Sequence, residues 1–227
     1  MLLGTVHTIL TGKSVPFTRP GTFSGINKTP FPGLIKVGLD GLEGDEQGDR
    51  RIHGGPDKAI HHYPYEHYGH WREILGPRRL LDAPGAFGEN ISTIGITEAS
   101  ICMGDIISCG SAVVEVSQTR QPCWKLNDRF EAKGAALEMQ RSGKVGWYYR
   151  VLVPGIIEAQ NTLSLLERPN PDWPLSKVLE LLYSDSMELD SLIRFQSLPL
   201  PPSWQKLVAN RISTGTVESW HKRLEGP

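Results

Sequence analysis

Residues 112–123 read Ala112-Val113-Val114-Glu115-Val116-Ser117-Gln118-Thr119-Arg120-Gln121-Pro122-Cys123. Ala112, Val114 and Val116 fall on one face of an extended chain, which predicts a β-strand with one buried side. Pro122 cannot donate to a strand ladder, so we expect the strand to end before it. The stretch therefore predicts a strand that carries Cys123 on a loop at its end.

The thiol of Cys123 is the first candidate for chemistry. Arg120 and Lys125 flank it, and nearby cations favour the thiolate, which binds metals and attacks substrates. A buried structural cysteine is the alternative, because free cysteines often serve as small core residues. The other two cysteines are Cys102 and Cys109, and the chain has no CxxC, so neither a disulfide scaffold nor a four-cysteine metal site is expected.

Outward from this stretch the chain continues as short strands. Residues 33–39 place Ile35, Val37 and Leu39 on one face. Further apolar pairs follow the turn signals Gly104-Asp105 and Pro154-Gly155. Many short strands with frequent turns favour a barrel or a sandwich over βαβ units. One helix is predicted at 66–75, stopped by Gly76-Pro77.

The pattern changes after about residue 168. A Pro-rich linker at 169–174 precedes Leu175, Val178, Leu179 and Leu182 at helical spacing. Further helices are predicted around Leu189–Ile193, from an N-cap at Ser203, and near Val217–Leu224. We predict a mainly β protein with α-helices, divided into a β domain at 1–168 and a helical module at 169–227.

Three tryptophans recur in the predicted helical module, at Trp173, Trp204 and Trp220. A module of this size cannot bury three tryptophans well by itself. We therefore expect it to pack against the β domain or against a partner subunit, and we predict a homodimer.

Composition argues against several classes of function. The formal net charge of −1 gives no electrostatic footprint for nucleic acid. No apolar run approaches the roughly 20 residues that span a bilayer, and the N-terminus has no charged region followed by a long apolar one. We expect a cytoplasmic protein with reduced thiols that binds neither nucleic acid nor membrane.

Two polar segments precede the strand and Cys123. Residues 44–59 contain Arg51, His53 and a Gly-Gly pair that allows close backbone approach to a ligand, although a solvated turn is the alternative. Their acidic spacing fits no calcium loop. Five of the seven histidines lie in the segment from His53 to His70, and a zinc site is therefore an alternative interpretation of this segment. His61 and His62 would point to opposite faces of a strand, however, and no HExxH is present.

Two shorter motifs carry further candidates. Asn90, in residues 84–93, can donate and accept hydrogen bonds at the amide edge of a pterin-like ring. Lys144, in residues 142–148, is flanked by glycines and can meet a phosphate. A simple turn and an exposed lysine are the respective alternatives.

Together these segments resemble the MOSC family, named for the C-terminal domain of molybdenum-cofactor sulfurase. The greatest similarity is to its YiiM-like branch, in which a three-helix module follows the barrel. The matching stretches run in order over about residues 20–165: 24–28, Gly44-Asp45-Glu46-Gln47, 53–59, Phe87-Gly88-Glu89-Asn90, 120–123 and 143–147. One departure is Thr119, where the branch usually has proline.

The resemblance implies a MOSC β-barrel, with Cys123 as the sulfur ligand of molybdenum in a molybdenum cofactor (molybdopterin), and no need for pyridoxal phosphate. It implies an oxidoreductase that reduces N-hydroxylated compounds such as N-hydroxylated purines, a detoxifying activity. The residues expected to bind the cofactor are Lys28, Arg51, His53, Asn90, Arg120 and Lys144. A carrier of sulfur or cofactor that uses Cys123, and a non-enzymatic interaction protein, remain as alternatives.

The chain has no cysteine set for an iron–sulfur cluster and no G-x-G-x-x-G fingerprint for NAD or FAD. A reductase of this kind must therefore receive its electrons from elsewhere. We expect a separate flavoprotein or iron–sulfur protein to donate them.

Overall fold

The computed structural model describes residues 1–48, 54–184 and 187–226. Its strands are β1 (Leu2–Thr11), β2 (Val15–Pro16), β3 (Phe23–Ser24), β4 (Thr29–Pro30), β5 (Ile35–Gly38), β6 (Gly41–Leu42), β7 (Ile60–Pro64), β8 (Ile91–Ile94), β9 (Ile106–Cys109), β10 (Ala112–Thr119), β11 (Trp147–Val153), β12 (Gly155–Ile157) and β13 (Thr162–Glu167). Its α-helices are α1 (His67–Leu75), α2 (Lys125–Arg129), α3 (Ala135–Ser142), α4 (Leu175–Tyr183), α5 (Leu189–Gln196), α6 (Pro202–Thr214) and α7 (His221–Glu225).

Seven of these strands close into a barrel. The order is β13-β9-β10-β11-β7-β8-β1, and β1 pairs again with β13. Only β7 and β8 run parallel among these pairs of described strands. Closure removes the open edges of the sheet, so the backbone of these strands is paired around the ring.

The predicted strand is β10, and it extends to Thr119. Ala112, Val114 and Val116 are all buried in the barrel core, as their alternation predicts. In β5 the alternation ends early: Ile35 and Val37 are buried, but Leu39 is 58% exposed. The expectation for Leu39 was wrong because the chain turns between Gly38 and Gly41, which pair across a tight turn.

The helical tail packs on the barrel of its own chain. Trp173, Leu175 and Val178 belong to the same apolar cluster as barrel residues such as Val114 and Ile107. Trp173 and Trp204 are buried, and Trp220 is half-buried. Docking onto the barrel therefore covers most of the apolar surface that the sequence analysis singled out, and the homodimer stays a prediction.

The N-terminus of α6 differs from the sequence prediction. The helix begins at Pro202, with Pro201 at the N-cap position, and no side chain caps it. Proline at the first helical position has its φ already set for the helix and lacks the N–H that would need a partner. Ser203 therefore lies inside the first turn and is not the N-cap.

In the described residues, none of the helices has the length and apolar character to cross a membrane.

His62 lies inside the barrel and gives the fold an acid-sensitive point. Its ring nitrogens are 2.9 Å from the Tyr149 hydroxyl and 2.6 Å from Thr93 Oγ1. Burial lowers the pKa of His62 to about 3. The folded protein therefore keeps this imidazole neutral at pH values where the unfolded chain binds a proton.

We expect the free energy of unfolding to decrease as the pH is lowered from about 6.5 to about 3. His62 alone should contribute up to about 1.4 kcal/mol per pH unit to this decrease. The sign follows because the unfolded state binds more protons in this window. In His62→Gln the slope, measured by urea unfolding from pH 7 to 4, should shrink by about one proton equivalent. Exposed His221→Gln is the control. Equal slopes in all three proteins would contradict the assignment.

Candidate functional site

Cys123 lies on the loop between β10 and α2, as the sequence predicts. The Arg120 N–H donates to the Gly146 carbonyl 3.0 Å away, and the Cys123 carbonyl accepts the N–H of Leu126 at 3.0 Å as α2 begins. The side chain of Cys123 is half-buried, whereas Cys102 and Cys109 are buried. Burial raises the pKa of the Cys109 thiol to about 12 and also raises that of Cys102. Cys123 is thus the cysteine placed for chemistry.

Cys123 opens into a cavity of about 600 Å³, its open mouth included, which we call the cationic cavity. This volume falls in the usual range for a small-molecule site. In the described residues, four cationic and two acidic side chains line it: Lys28, Lys58, Arg120 and Lys125, with Asp45 and Glu46. The surplus of positive charge suits an anionic ligand.

Asn90 organises one wall of the cationic cavity. Its Nδ2 donates to Asp45 Oδ2 at 2.8 Å and to the Leu10 carbonyl at 3.2 Å. Its Oδ1 accepts the backbone N–H of His61 at 3.0 Å. Both amide N–H groups are thus used within the chain, so any contact of Asn90 with a pterin ring would be through Oδ1.

Asp45 also forms a buried ion pair with Lys28. The two side chains are 6% and 5% exposed, and Asp45 Oδ1 accepts a 2.8 Å hydrogen bond from the Gly12 N–H. Burial lowers the pKa of Lys28, while the charge of Asp45 acts in the opposite direction. Part of the positive charge of Lys28 is therefore balanced before any ligand arrives.

The Phe87-Gly88-Glu89-Asn90 motif also shapes the cationic cavity. Glu89 is buried and accepts the N–H groups of Gly85 and Phe87 at 2.7 and 3.1 Å. Gly88 has a φ of 74°, and a Cβ there would lie 2.9 Å from Ile26. Arg120 Nη1 donates to the Phe87 carbonyl at 2.7 Å, which fixes the guanidinium beside this loop. The motif therefore sets the position of Arg120.

His61 and His62 point to opposite sides of β7, as expected. The His61 ring lies in the cationic cavity, 4.9 Å from the Tyr148 ring centre. Its Nε2 is buried and has no hydrogen-bond partner among the described residues. Burial, and secondarily the charge of Arg120, lower the pKa of His61 well below its usual value. A neutral imidazole nitrogen is thus left for a ligand.

Tyr148 and Lys58 were not among the sequence candidates, yet both line the cavity beside Cys123. Burial raises the pKa of the Tyr148 phenol, so it keeps its proton. Burial lowers the pKa of Lys58, with Asp57 and Cys123 opposing that shift. Alternation along β11 was a usable signal for Tyr148, because Trp147 and Tyr149 turn into the barrel.

A second cavity meets the first at Lys58, Cys123 and Tyr148. It encloses about 1040 Å³, its open mouth included, and we call it the tail cavity. One wall is barrel and loop, and the other is the C-terminal segment, residues 217–226. The remaining lining residues are Gln118, Thr119, Gln121 and Trp124 on the first wall and 218–220, 222 and 223 on the second. The tail is thus part of the site.

The structure separates Lys144 from Cys123. It lines a different cleft, between the barrel and α4, together with Glu98 and Gln140. The backbone N–H groups of Val145 and Gly146 donate to the Glu98 carboxylate at 3.1 and 2.7 Å, which fixes this turn beside Glu98. Arg51 and His53 lie outside the described residues.

The zinc alternative finds no support in the described residues. Among them, no group of three or more His, Cys, Asp or Glu side chains is arranged to hold a metal ion. His67 is paired with Glu98 at 2.7 Å, and His70 with Glu138 at 3.1 Å. Both imidazoles are hydrogen-bonded to a carboxylate of the same chain.

Comparisons with known proteins agree with this architecture. The family model described as MOSC domain matches residues 49–164, and the model described as YiiM-like, 3-alpha helix domain matches residues 173–215. The chain is 40% identical to protein YiiM of Escherichia coli over 96% of this chain and 97% of that protein. The crystal structure of that YiiM covers 96% of this chain and 97% of its own, with a TM-score of 0.81. A protein of Gibberella moniliformis named reductase is 36% identical to this chain. The matched region covers 83% of this chain and 34% of the fungal protein.

Proposed function

Because the chain belongs to the MOSC domain family and carries the YiiM-like three-helix domain behind its barrel, we propose that it is a molybdenum-cofactor-dependent reductase of N-hydroxylated compounds. N-hydroxylated purines and related bases are the proposed substrates, and Cys123 is the proposed sulfur ligand. The observation that carries the proposal is the thiol of Cys123 at the wall of a cation-lined cavity. The name of the fungal relative supports the reductase class.

The residues of the cationic cavity fit such a cofactor. A thiolate is the soft donor that molybdenum prefers, and cationic side chains suit the phosphate of a pterin cofactor. Arg120 and Lys125 are placed for the phosphate, and the unpartnered Nε2 of His61 offers a further contact with the ring. When bound, the cofactor would supply two-electron reduction.

The protein must supply the protons. Reduction of R–NH–OH to R–NH2 and water consumes two electrons and two protons. Tyr148 keeps its proton and lies beside Cys123, so its hydroxyl is placed to hydrogen-bond the departing oxygen. Lys58 lines both cavities beside Cys123, so its ammonium group is the proposed proton donor. The proton that Lys58 gives up can be replaced from solvent through the open mouth of the cavity.

We also propose that the electrons come from a separate flavoprotein or iron–sulfur protein. Protein purified from a host that makes the cofactor should contain about one molybdenum per chain, measured by mass spectrometry. We expect it to reduce N-hydroxylated adenine with dithionite-reduced methyl viologen but not with NADH or NADPH alone. Sustained turnover with NADH and no second protein would contradict the proposal of a separate electron donor. Absence of molybdenum would contradict the proposed function.

A further inference from the structure

We propose that the tail cavity is the substrate chamber and that the C-terminal segment selects flat nitrogen heterocycles there. This inference rests on the proposed function and adds to it the place where the base binds. It also gives the last helix, α7, a role in specificity. The matched three-helix model ends at residue 215, before this segment.

The position of Cys123 is the first argument. Lys58, Cys123 and Tyr148 line both cavities, so the thiol lies where the two spaces meet. A cofactor bound to Cys123 in the cationic cavity leaves the tail cavity as the second approach to the same sulfur. A substrate must reach this junction to react, and the tail cavity is large enough for a purine.

Unpartnered polar atoms are the second argument. Gln118 Oε1, Thr119 Oγ1 and Gln121 Nε2 are buried and have no hydrogen-bond partner among the described residues. All three residues line the tail cavity. A buried polar group without a partner costs about 1–3 kcal/mol. Amides and a hydroxyl in this position favour a ligand whose edge carries both donors and acceptors, as the edge of a nitrogen heterocycle does.

The shape of the ligand follows from the aromatic residues. Trp124, Tyr148 and Trp220 line the same cavity and offer flat apolar surface. Arg223 lies over Trp220 at 4.1 Å from the ring centre, and its Nη2 donates to Gln140 Oε1 at 2.6 Å. These contacts hold the Trp220 ring in place at the wall of the tail cavity.

The C-terminal segment is fixed onto the loop that bears Cys123. The N–H of Trp124 donates to the Arg223 carbonyl at 2.8 Å, and Asn127 Nδ2 donates to the Leu224 carbonyl at 2.8 Å. Buried Arg211 binds Glu218 at 2.8 and 2.9 Å, which ties the start of the segment to α6. These direct contacts therefore fix the wall that the C-terminal segment forms relative to the loop that bears Cys123.

The test uses molybdenum-loaded protein, N-hydroxylated adenine as substrate and adenine as a competing product. Gln118→Leu and Gln121→Leu should each raise the KM for the substrate and the inhibition constant of adenine about 5–150-fold, because one hydrogen bond to the base is lost. Molybdenum content should be unchanged. Gln205→Leu, on an exposed face of α6, is the control.

Ser219→Trp is the second variant, because Ser219 is exposed and the change adds bulk at the rim of the cavity without disturbing the core. It should block both substrate and adenine while molybdenum stays bound. If the wild type reduces N-hydroxylated adenine and all three cavity variants keep wild-type KM and adenine inhibition, the chamber is wrong and the proposed function stands. If the wild type holds no molybdenum, adenine titration by calorimetry still decides: binding that is lost in these variants supports the chamber, and no binding overturns it.

Discussion

The Cys123→Ser protein should purify with at least about tenfold less molybdenum than the wild type and should not reduce N-hydroxylated adenine. A serine hydroxyl is a hard donor that stays protonated at neutral pH, so it cannot replace a thiolate at a soft metal. The side chain is half-buried on a loop, so the substitution should leave the urea unfolding curve unchanged. Molybdenum content measured by mass spectrometry is the primary readout.

Cys102→Ser is the matched control for this experiment. Cys102 is buried away from both cavities, with its thiol 3.7 Å from the Pro171 carbonyl, which a serine hydroxyl can also contact. It should keep its molybdenum. Loss of the metal in Cys102→Ser, with Cys123→Ser fully active, would overturn the ligand assignment. A wild type that carries a persulfide on Cys123 and no molybdenum would favour the carrier alternative instead.

The strands and helices were predictable where one periodic pattern fixed the local structure. The alternation of Ala112, Val114 and Val116 gave β10, and the spacing of Leu175 and Val178 gave α4. Such patterns report which face is buried, and burial is what stabilises the element. Barrel closure is not local, because the pairing of β1 with β13 joins residues about 160 positions apart, and no window of sequence contains it.

The site was predictable only in part, for a similar reason. The motifs around Lys28, Asn90, Arg120 and Cys123 do converge on one cavity. Sequence alone does not show that the amide N–H groups of Asn90 are already used, or that Lys144 faces another cleft. The C-terminal segment shows a helical pattern in the sequence but none of the motifs that point to chemistry. Its place beside Cys123 follows from hydrogen bonds to Trp124 and Asn127 that only the folded chain reveals.

The ion pair between Lys28 and Asp45 should have the largest effect on stability among the cavity residues. Lys28→Met removes the cation and leaves the Asp45 carboxylate buried, at a cost expected to be about 3–5 kcal/mol in the free energy of unfolding. Urea unfolding of the cofactor-free protein measures this cost. The control is Lys36→Met, because the pair between Lys36 and Glu43 is 3.8 Å apart and mostly exposed. That change should cost less than about 1 kcal/mol.

The double variant Lys28→Met/Asp45→Asn separates charge balance from the rest of the cavity. It removes one positive and one negative group, so the net charge of the cavity is unchanged and no buried charge is left without a partner. The amide can still accept the Gly12 N–H, so we expect part of the lost stability to return. Molybdenum content should fall in Lys28→Met and recover towards the wild-type value in the double variant, because the field on an anionic ligand is restored. If Lys28→Met lowers the free energy of unfolding no more than Lys36→Met does, the pair between Lys28 and Asp45 does not stabilise the wall of the cationic cavity. If molybdenum stays low in a stable double variant, Lys28 contacts the cofactor directly.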